Sequence, residues 1–280
     1  KIRKMNKKIR TLLFLILFLI FITLSPVLVL YSLGYTYDFE KKALVKTGVL
    51  FVQAKPPSVQ IFLSGKFKKK TDKIFGKAKI LRLKPKKYLV EIKKENYLPW
   101  KKELEIKEGE VTEVLGVILI PEKINFKEIE NKKEIFLKRK QKDFIFPKKV
   151  GNFEIFLEGK DLFSFSLDKG KEKILENFLG WDEKGDKILV FSNKEIWEIS
   201  FAGKTLLFRT SEEIQDAVFL TENYIVFALS GKIVILETDI RDKPNFYEIA
   251  KFENPRLAIN SKNQILVLEK DKLFISDSLY

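Results

Sequence analysis

Residues 181–197 read WDEKGDKILVFSNKEIW, and this stretch decides how the carboxyl-terminal half of the chain is interpreted. Gly185 and Asp186 are turn-forming residues, and the apolar run 188–191 follows them almost directly. A second polar break at 193–195 precedes another apolar pair. Short apolar runs of this length between turn signals are typical of β-strands joined by hairpins. The stretch therefore predicts antiparallel β-structure.

The same pattern recurs through residues 145–280. The matching apolar positions Ile188, Ile225 and Ile265 follow one another at steps of 37 and 40 residues. A period near 40 residues, with a hairpin in each copy, indicates the blades of a β-propeller. The first copy, with its Trp181-Asp182 dipeptide, resembles a blade of the WD-type or TolB-like propellers. That resemblance implies a binding platform, and three to four copies fit in the available length.

The two ends of the chain leave its completeness open. The first residue is Lys1 and the single methionine is Met5. The last copy stops at residues 277–280 with no recognisable closing strand. Because each blade buries its faces on its neighbours, we expect a partial propeller from a truncated chain.

Acidic residues cluster in the turns of the repeats and are the only candidates for catalysis there. A carboxylate pair would suit glycoside hydrolysis and a denser acidic loop would suit calcium, but no spacing matches a known calcium loop. Acidic residues are also the ordinary choice in turns, which is the interpretation we favour. A carboxylate-using hydrolase remains the alternative, on Asp182, Glu183, Asp186, Glu212, Glu213 and Asp216.

Residues 46–121 show a different pattern, in which apolar and polar positions alternate. The runs at 48–52, 59–63, 79–83, 88–92, 102–106 and 111–119 are separated by turn signals such as Ser64-Gly65 and Lys84-Pro85. Six or so short strands in about 75 residues predict a small antiparallel β-sandwich.

This stretch resembles the PEGA domain family, small β-sandwich modules of bacterial and archaeal envelope proteins. The resemblance lies in Gly48 at the start of the first strand, Pro57 before the second, the Leu81-x-Leu83-x-Pro85 motif, and Asn96-Tyr97 followed by Trp100. Ser64 and Lys87 depart from the family pattern, and the motif that names the family is not legible. The resemblance implies a structural or adhesive module without catalytic residues.

Two groups of residues in the predicted sandwich are candidates for contact with a polymer or a lipid surface. A lysine-rich patch would attract anionic headgroups or acidic wall polymers, although it also suits an ordinary solvated hairpin. Two aromatic residues would stack on a sugar ring, although they also suit a packed strand entry. The candidates are Lys66, Lys68, Lys69, Lys70, Lys86, Lys87, Tyr97 and Trp100.

Residues 11–33 contain no charged side chain and predict a membrane span. Their length as a helix is about 34 Å, against a hydrocarbon core of about 30 Å. Residues 1–10 carry six positive charges and no acid, so the positive-inside bias places them in the cytoplasm and the bulk of the chain outside. The alternative is a cleaved signal peptide, for which Ser32-Leu33-Gly34 is the best cleavage site and a poor one.

Composition narrows the functional classes. The sequence has no cysteine and no histidine, which excludes a disulfide framework, a Ser-His-Asp triad and the common zinc sites. Residues 48–121 hold 17 basic and 8 acidic side chains, whereas residues 122–280 hold 27 and 28. The net charge of +15 therefore belongs to the amino-terminal part, and nucleic-acid binding by the carboxyl-terminal half is not indicated.

The sequence thus predicts an all-β ectodomain behind one transmembrane helix. The expected order is a basic tail (1–10), the span (11–33), a linker (34–45), the sandwich (46–121), a linker or opening strands (122–144), and propeller-like repeats (145–280). We expect a non-enzymatic scaffold or binding protein of the cell envelope, with no cofactor or metal and with the lipid bilayer, wall polymer or envelope proteins as partners. A hydrolase and a sensory ectodomain are the alternatives.

Overall fold

The computed structural model describes residues 7–130 and 147–279. The prediction for residues 1–6 of the basic tail and for 131–144 of the linker therefore lies outside the described residues. By density of internal contacts the chain divides into two units: residues 1–90 with 103–115, and residues 91–102 with 116–280.

The first element is helix α1, Lys7–Ser32, and the fold has one such element in its described part. None of its side chains is buried, although most of them are apolar. Pro26 lies inside the helix, and the Thr11, Thr23 and Ser32 hydroxyls donate to backbone carbonyls three or four residues earlier. The helix is long and apolar enough to cross a membrane by length and composition.

A hairpin of two short strands follows, β1 (Tyr35–Asp38) and β2 (Ala43–Lys46). Tyr37 pairs with Leu44 across it. Gly34 turns the chain between the helix and the hairpin with φ of 88°. Its carbonyl accepts both the Thr47 N–H and the Thr47 hydroxyl, at 2.8 and 2.7 Å. These bonds hold the base of the hairpin to the end of α1.

The predicted sandwich is present as two antiparallel sheets. One has the order β6-β3-β9 and the other the order β5-β4-β7-β8. Alternate side chains of a strand point to opposite faces, and both β3 and β8 alternate between buried and more exposed positions. The strands are β3 Gly48–Lys55, β4 Gln60–Leu63, β5 Lys66–Lys70, β6 Lys77–Leu83, β7 Lys86–Lys93, β8 Trp100–Ile106 and β9 Val111–Ile118.

The second unit contains four four-stranded antiparallel sheets among its described residues, which confirms the propeller-like repeats. In chain order of their first strands, the sheets are β11-β12-β13-β14, β15-β16-β17-β18, β19-β20-β21-β22 and β23-β24-β25-β10. We call them sheets one to four. Their strands are β10 Phe126–Ile129, β11 Lys148–Val150, β12 Phe153–Glu158, β13 Asp161–Ser166, β14 Gly170–Leu175, β15 Phe178–Lys184, β16 Lys187–Ser192, β17 Glu195–Ser200, β18 Gly203–Arg209, β19 Ile214–Thr221, β20 Tyr224–Leu229, β21 Lys232–Glu237, β22 Phe246–Lys251, β23 Arg256–Ile259, β24 Ile265–Glu269 and β25 Lys272–Ser276.

The expectation that the last copy lacks a closing strand is wrong. Strand β10, which precedes sheet one in the chain, pairs antiparallel with β25, with Phe126 opposite Ser276 and Ile129 opposite Leu273. The Asn125 side chain donates to Asp277 at 2.9 Å beside this pairing. Because β10 lies before the first repeat in sequence, the period of the repeats contains no sign of it.

Neighbouring sheets bury apolar side chains against each other in sequence order. Strand β16 shows how: Ile188 and Val190 pack toward sheet one, whereas Leu189 and Phe191 pack toward sheet three. A strand that is buried on both faces reads as a continuous apolar run rather than an alternating one. Sheets three and four share a third apolar core that includes Val226, Ile235, Leu257 and Val267.

Candidate functional site

The four lysines predicted at 66–70 lie on an exposed edge of the sandwich. Strands β5 and β6 are the outermost strands of their two sheets. They lie side by side there, since the Lys69 ammonium donates to the Lys79 carbonyl at 3.3 Å. Every side chain of β5 is exposed. We call this surface the basic edge, consisting of Lys66, Lys68, Lys69, Lys70, Lys77 and Lys79.

The basic edge has few nearby negative charges in sequence. Residues 66–87 contain eleven lysines and arginines and one acid, Asp72. The Asp72 carboxylate accepts the backbone N–H groups of Ile74, Phe75 and Lys77 at 2.6–2.9 Å, and these bonds lower its pKa, that from Phe75 most. Its oxygens are thus committed to shaping the β5–β6 loop. In the described part of the chain, Lys66, Lys68 and Lys70 form no ion pair.

Lys86 and Lys87 are exposed but belong to β7, two strands from β5 in the same sheet. Lys87 forms an ion pair with Glu103 at 3.2 Å. Lys86 lies 5.3 Å above the ring of Tyr88. The structure thus brings four of the six predicted lysines together and gives the other two their own neighbours.

The two aromatic candidates are placed differently from a sugar-binding pair. Trp100 is fully buried, and its indole N–H donates to Glu237 at 2.9 Å. Its ring face is therefore inaccessible to a sugar, which corrects that prediction in favour of the packed strand entry. Tyr97 is half-buried, pairs with Pro121 in an isolated β-bridge, and has the Lys94 ammonium 5.8 Å from its ring.

Trp100 belongs to a buried ionic network that the sequence interpretation missed. The Lys102 side chain is wholly buried, and its ammonium lies 3.1 Å from a Glu237 oxygen and 3.4 Å from an Asp239 oxygen. It also donates to the Asp239 backbone carbonyl at 2.5 Å. Glu237 further accepts the Asn245 side-chain amide at 2.7 Å. We call Trp100, Lys102, Glu237, Asp239 and Asn245 the buried network.

The electrostatics of this network favour charged carboxylates. Burial alone would raise the pKa of Asp239, but hydrogen bonds from the Arg241 side chain and N–H, together with the Lys102 charge, lower it to about 2. The sequence did hold one signal: Lys102 is in phase with the inward-facing Leu104 and Ile106 of an alternating strand. A lysine at an inward position requires a partner.

The acidic residues considered for catalysis include three with structural contacts between sheets. The Asp182 carboxylate accepts the Phe219 N–H at 2.8 Å, and Asp216 accepts the Leu257 N–H at 2.7 Å. Glu183 pairs with Lys148 at 2.5 Å. Within residues 7–130 and 147–279, no group of three or more acidic side chains is arranged to hold a metal ion. The placement of these three residues favours a role in joining the blades.

A cleft of about 480 Å³ lies between sheets one and two. Trp197 and Arg209 line it, and each donates to the same Glu195 carboxylate at 2.8 Å. Asn177 and Asn193 add polar groups to its wall. The side chains that would recognise a ligand here are therefore already joined to one another.

Comparison with known proteins gives distant structural likeness only. No family model matches the chain, and no curated protein matches it. Solved structures that resemble it include a streptogramin B lyase, at 10% identity with a TM-score of 0.34 over 74% of this chain and 70% of that one. The amino-terminal domain of Nup159 follows at 16% identity, a TM-score of 0.33, and coverage of 56% and 47%. A quinoprotein alcohol dehydrogenase-like protein of Bacteroides thetaiotaomicron has 9% identity, a TM-score of 0.30, and coverage of 78% and 64%. The resemblance to the PEGA family stays a prediction.

Proposed function

We propose that this protein is a membrane-anchored, non-catalytic binding protein of the cell envelope that holds anionic polymer through its basic edge. The observation that carries the proposal is the set of unpaired lysines on two adjacent edge strands. Clustered charge of one sign raises the local concentration of an oppositely charged partner and accelerates its association. In this proposal the acidic partner is a wall polymer or an acidic envelope protein.

The proposed topology puts the sandwich and the repeats outside the cytoplasmic membrane. Its support is the charge-free stretch 11–33, which coincides with most of α1, and the six positive charges of residues 1–10. An envelope location also agrees with the PEGA-like pattern of residues 46–121, which supports an adhesive module.

Lysines on edge strands have a second explanation, which the experiment must separate from binding. An exposed sheet edge is a template for pairing with another chain, and lysine side chains prevent this. If the basic edge serves only that purpose, its removal will cause self-association and will leave polyanion binding unchanged.

The test is binding of fluorescent polyphosphate and polyglutamate to the full chain in nanodiscs of zwitterionic lipid, with dextran as a neutral probe. We expect polyanion binding that weakens as salt rises, because exposed charges are screened. Replacement of Lys66, Lys68, Lys69 and Lys70 by Gln should weaken it at least tenfold, since a basic residue near an anionic surface contributes about 1 kcal/mol.

The matched control replaces four exposed lysines of the repeats by Gln. It has the same change in net charge and should alter binding less than twofold. If both quadruple variants lose affinity equally, the interaction is a property of total charge and the proposed site is wrong. The control residues are Lys160, Lys169, Lys251 and Lys262.

A further inference from the structure

The β1–β2 hairpin has two unlike faces. On one face Asp38 and Val45 are buried, at 4% and 5% exposure. On the other face Tyr37 and Leu44 lie opposite each other and are 45% and 55% exposed. Phe39, at the turn, is 80% exposed and packs edge-on against Tyr37 with ring centroids 5.0 Å apart. The outward face is thus aromatic and apolar although it has no packing partner in its own unit.

The buried face fixes the direction in which the outward face points. Asp38 forms an ion pair with Lys84 at 3.0 Å and accepts the Glu40 N–H at 3.1 Å. The hydrogen bond from Lys84 is the main reason that the pKa of Asp38 is lowered. Together with the two bonds from Thr47 to Gly34, these contacts hold the hairpin at both ends.

The hairpin adjoins the end of the apolar helix. Strand β1 begins three residues after Ser32, and it lies beside the last turn of α1. The Arg82 guanidinium lies 3.4 Å from the ring centroid of Tyr31 in that turn. From Ser32 the chain can reach Phe39 over at most about 25 Å, and strand β1 itself is about 13 Å long. The outward face therefore continues the apolar surface of the helix.

We propose that the hairpin, residues 35–46, lies in the headgroup layer of the membrane that α1 spans, with Tyr37, Phe39 and Leu44 against lipid. This inference rests on the proposed membrane anchor. Tyrosine is enriched at membrane interfaces, because its ring is apolar and its hydroxyl remains hydrated. Lys41 and Lys42 at the turn extend apolar stems and charged ends, which suits contact with lipid phosphates.

Continuity with the span is the reason to choose lipid over a protein partner. An apolar face within one strand length of a bilayer surface meets lipid before any other apolar material. Two attachments, the helix and the hairpin, would restrict rotation of the sandwich about the helix axis. The hairpin would thereby set which end of strand β3 faces the membrane, namely the end at Gly48.

The test uses the natural lack of cysteine, which allows single-cysteine variants without other changes. Phe39→Cys, Leu24→Cys and Ile74→Cys each replace an exposed side chain, so that the fold is preserved in all three. Ile74 serves as the matched control, because the loop that bears it lies toward Gln53 of β3, and Gly48 pairs with Leu83 at the other end. Each variant of the full chain is spin-labelled and reconstituted in vesicles of four parts phosphatidylcholine to one part phosphatidylglycerol.

Immersion depth is then measured from the relative accessibility of each nitroxide to oxygen and to a water-soluble nickel chelate. We expect the label at 24 deep in the hydrocarbon, the label at 39 at the headgroup–acyl boundary, and the label at 74 in water. If 39 is as accessible to nickel as 74 while 24 is deep, the hairpin inference is overturned and the anchor stands. If 24 is in water, the anchor fails and the hairpin inference falls with it. If 74 is as immersed as 39, the hairpin is not the contact and the inference is again overturned.

Discussion

Replacement of Lys102 by Met should destabilise the second unit strongly. The side chain is wholly buried, and its ammonium faces Glu237 at 3.1 Å and Asp239 at 3.4 Å. Methionine fills similar volume but leaves a carboxylate with 5% side-chain exposure, that of Glu237, without its cation. Loss of one partner of a buried ion pair costs about 3–5 kcal/mol, and several hydrogen bonds of Glu237 remain, so we expect the lower part of that range.

The assay is urea unfolding followed by tryptophan fluorescence. With an m-value of about 2–3 kcal/mol per molar urea, the Lys102→Met variant should unfold at a urea concentration lower by about 1–1.5 M. Lys232→Met is the matched control, because Lys232 lies on the same strand as Glu237 and pairs with Glu248 at 3.4 Å with both partners 40% exposed. Exposed pairs contribute about 0–1 kcal/mol.

The double variant Lys102→Met/Glu237→Gln separates charge from packing. It removes the orphaned carboxylate charge and should recover part of the loss. Equal destabilisation by Lys102→Met and Lys232→Met would refute the reasoning, since it would mean that burial does not set the strength of this network.

Three further predictions concern the second unit. Asp239→Asn should lower stability above pH 4, and the difference from the unmodified chain should shrink as pH falls from about 4 toward 2 in acid unfolding curves; the folded pKa of about 2 lies below the unfolded value of about 3.9, so the stabilisation is present above the unfolded pKa and lost toward the folded one. Trp100→Phe should cost about 1–3 kcal/mol in urea unfolding, because it removes the donor 2.9 Å from a Glu237 oxygen while the ring volume is largely kept. Phe126→Ala should accelerate amide hydrogen exchange in β25 but not in β13, since the Phe126 ring packs on Phe252 at 5.4 Å where β10 closes sheet four; equal rates in β25 before and after the change would contradict a closing role.

The all-β class and the sandwich could be predicted because both depend on local patterns. Alternation in strands such as β3 reports a face toward the core and a face toward solvent. The repeats were recognisable for a related reason: a strand such as β16 is buried on both faces and reads as an unbroken apolar run. Each of these signals occupies fewer than ten residues.

Features that join distant residues could not be predicted in this way. Strand β10 and its partner β25 are about 150 residues apart, and nothing in residues 126–129 distinguishes a closing strand from a linker. Trp100 and Glu237 are separated by 137 residues. The aromatic character of Trp100 suits a sugar platform and a buried anchor equally, and only its accessibility decides between them.

The distribution of paired charge indicates where each kind of partner would bind. Residues 122–280 are nearly neutral, and their acids include residues with fixed internal contacts such as Asp182 and Asp216. In the basic edge, by contrast, Lys66, Lys68 and Lys70 form no ion pair among the described residues, and the one acid of the stretch is held by backbone N–H groups. A partner selected by negative charge would therefore depend on the sandwich. A partner selected by shape would depend on the loops of the four sheets, and its binding should be insensitive to salt and to the four-lysine replacement.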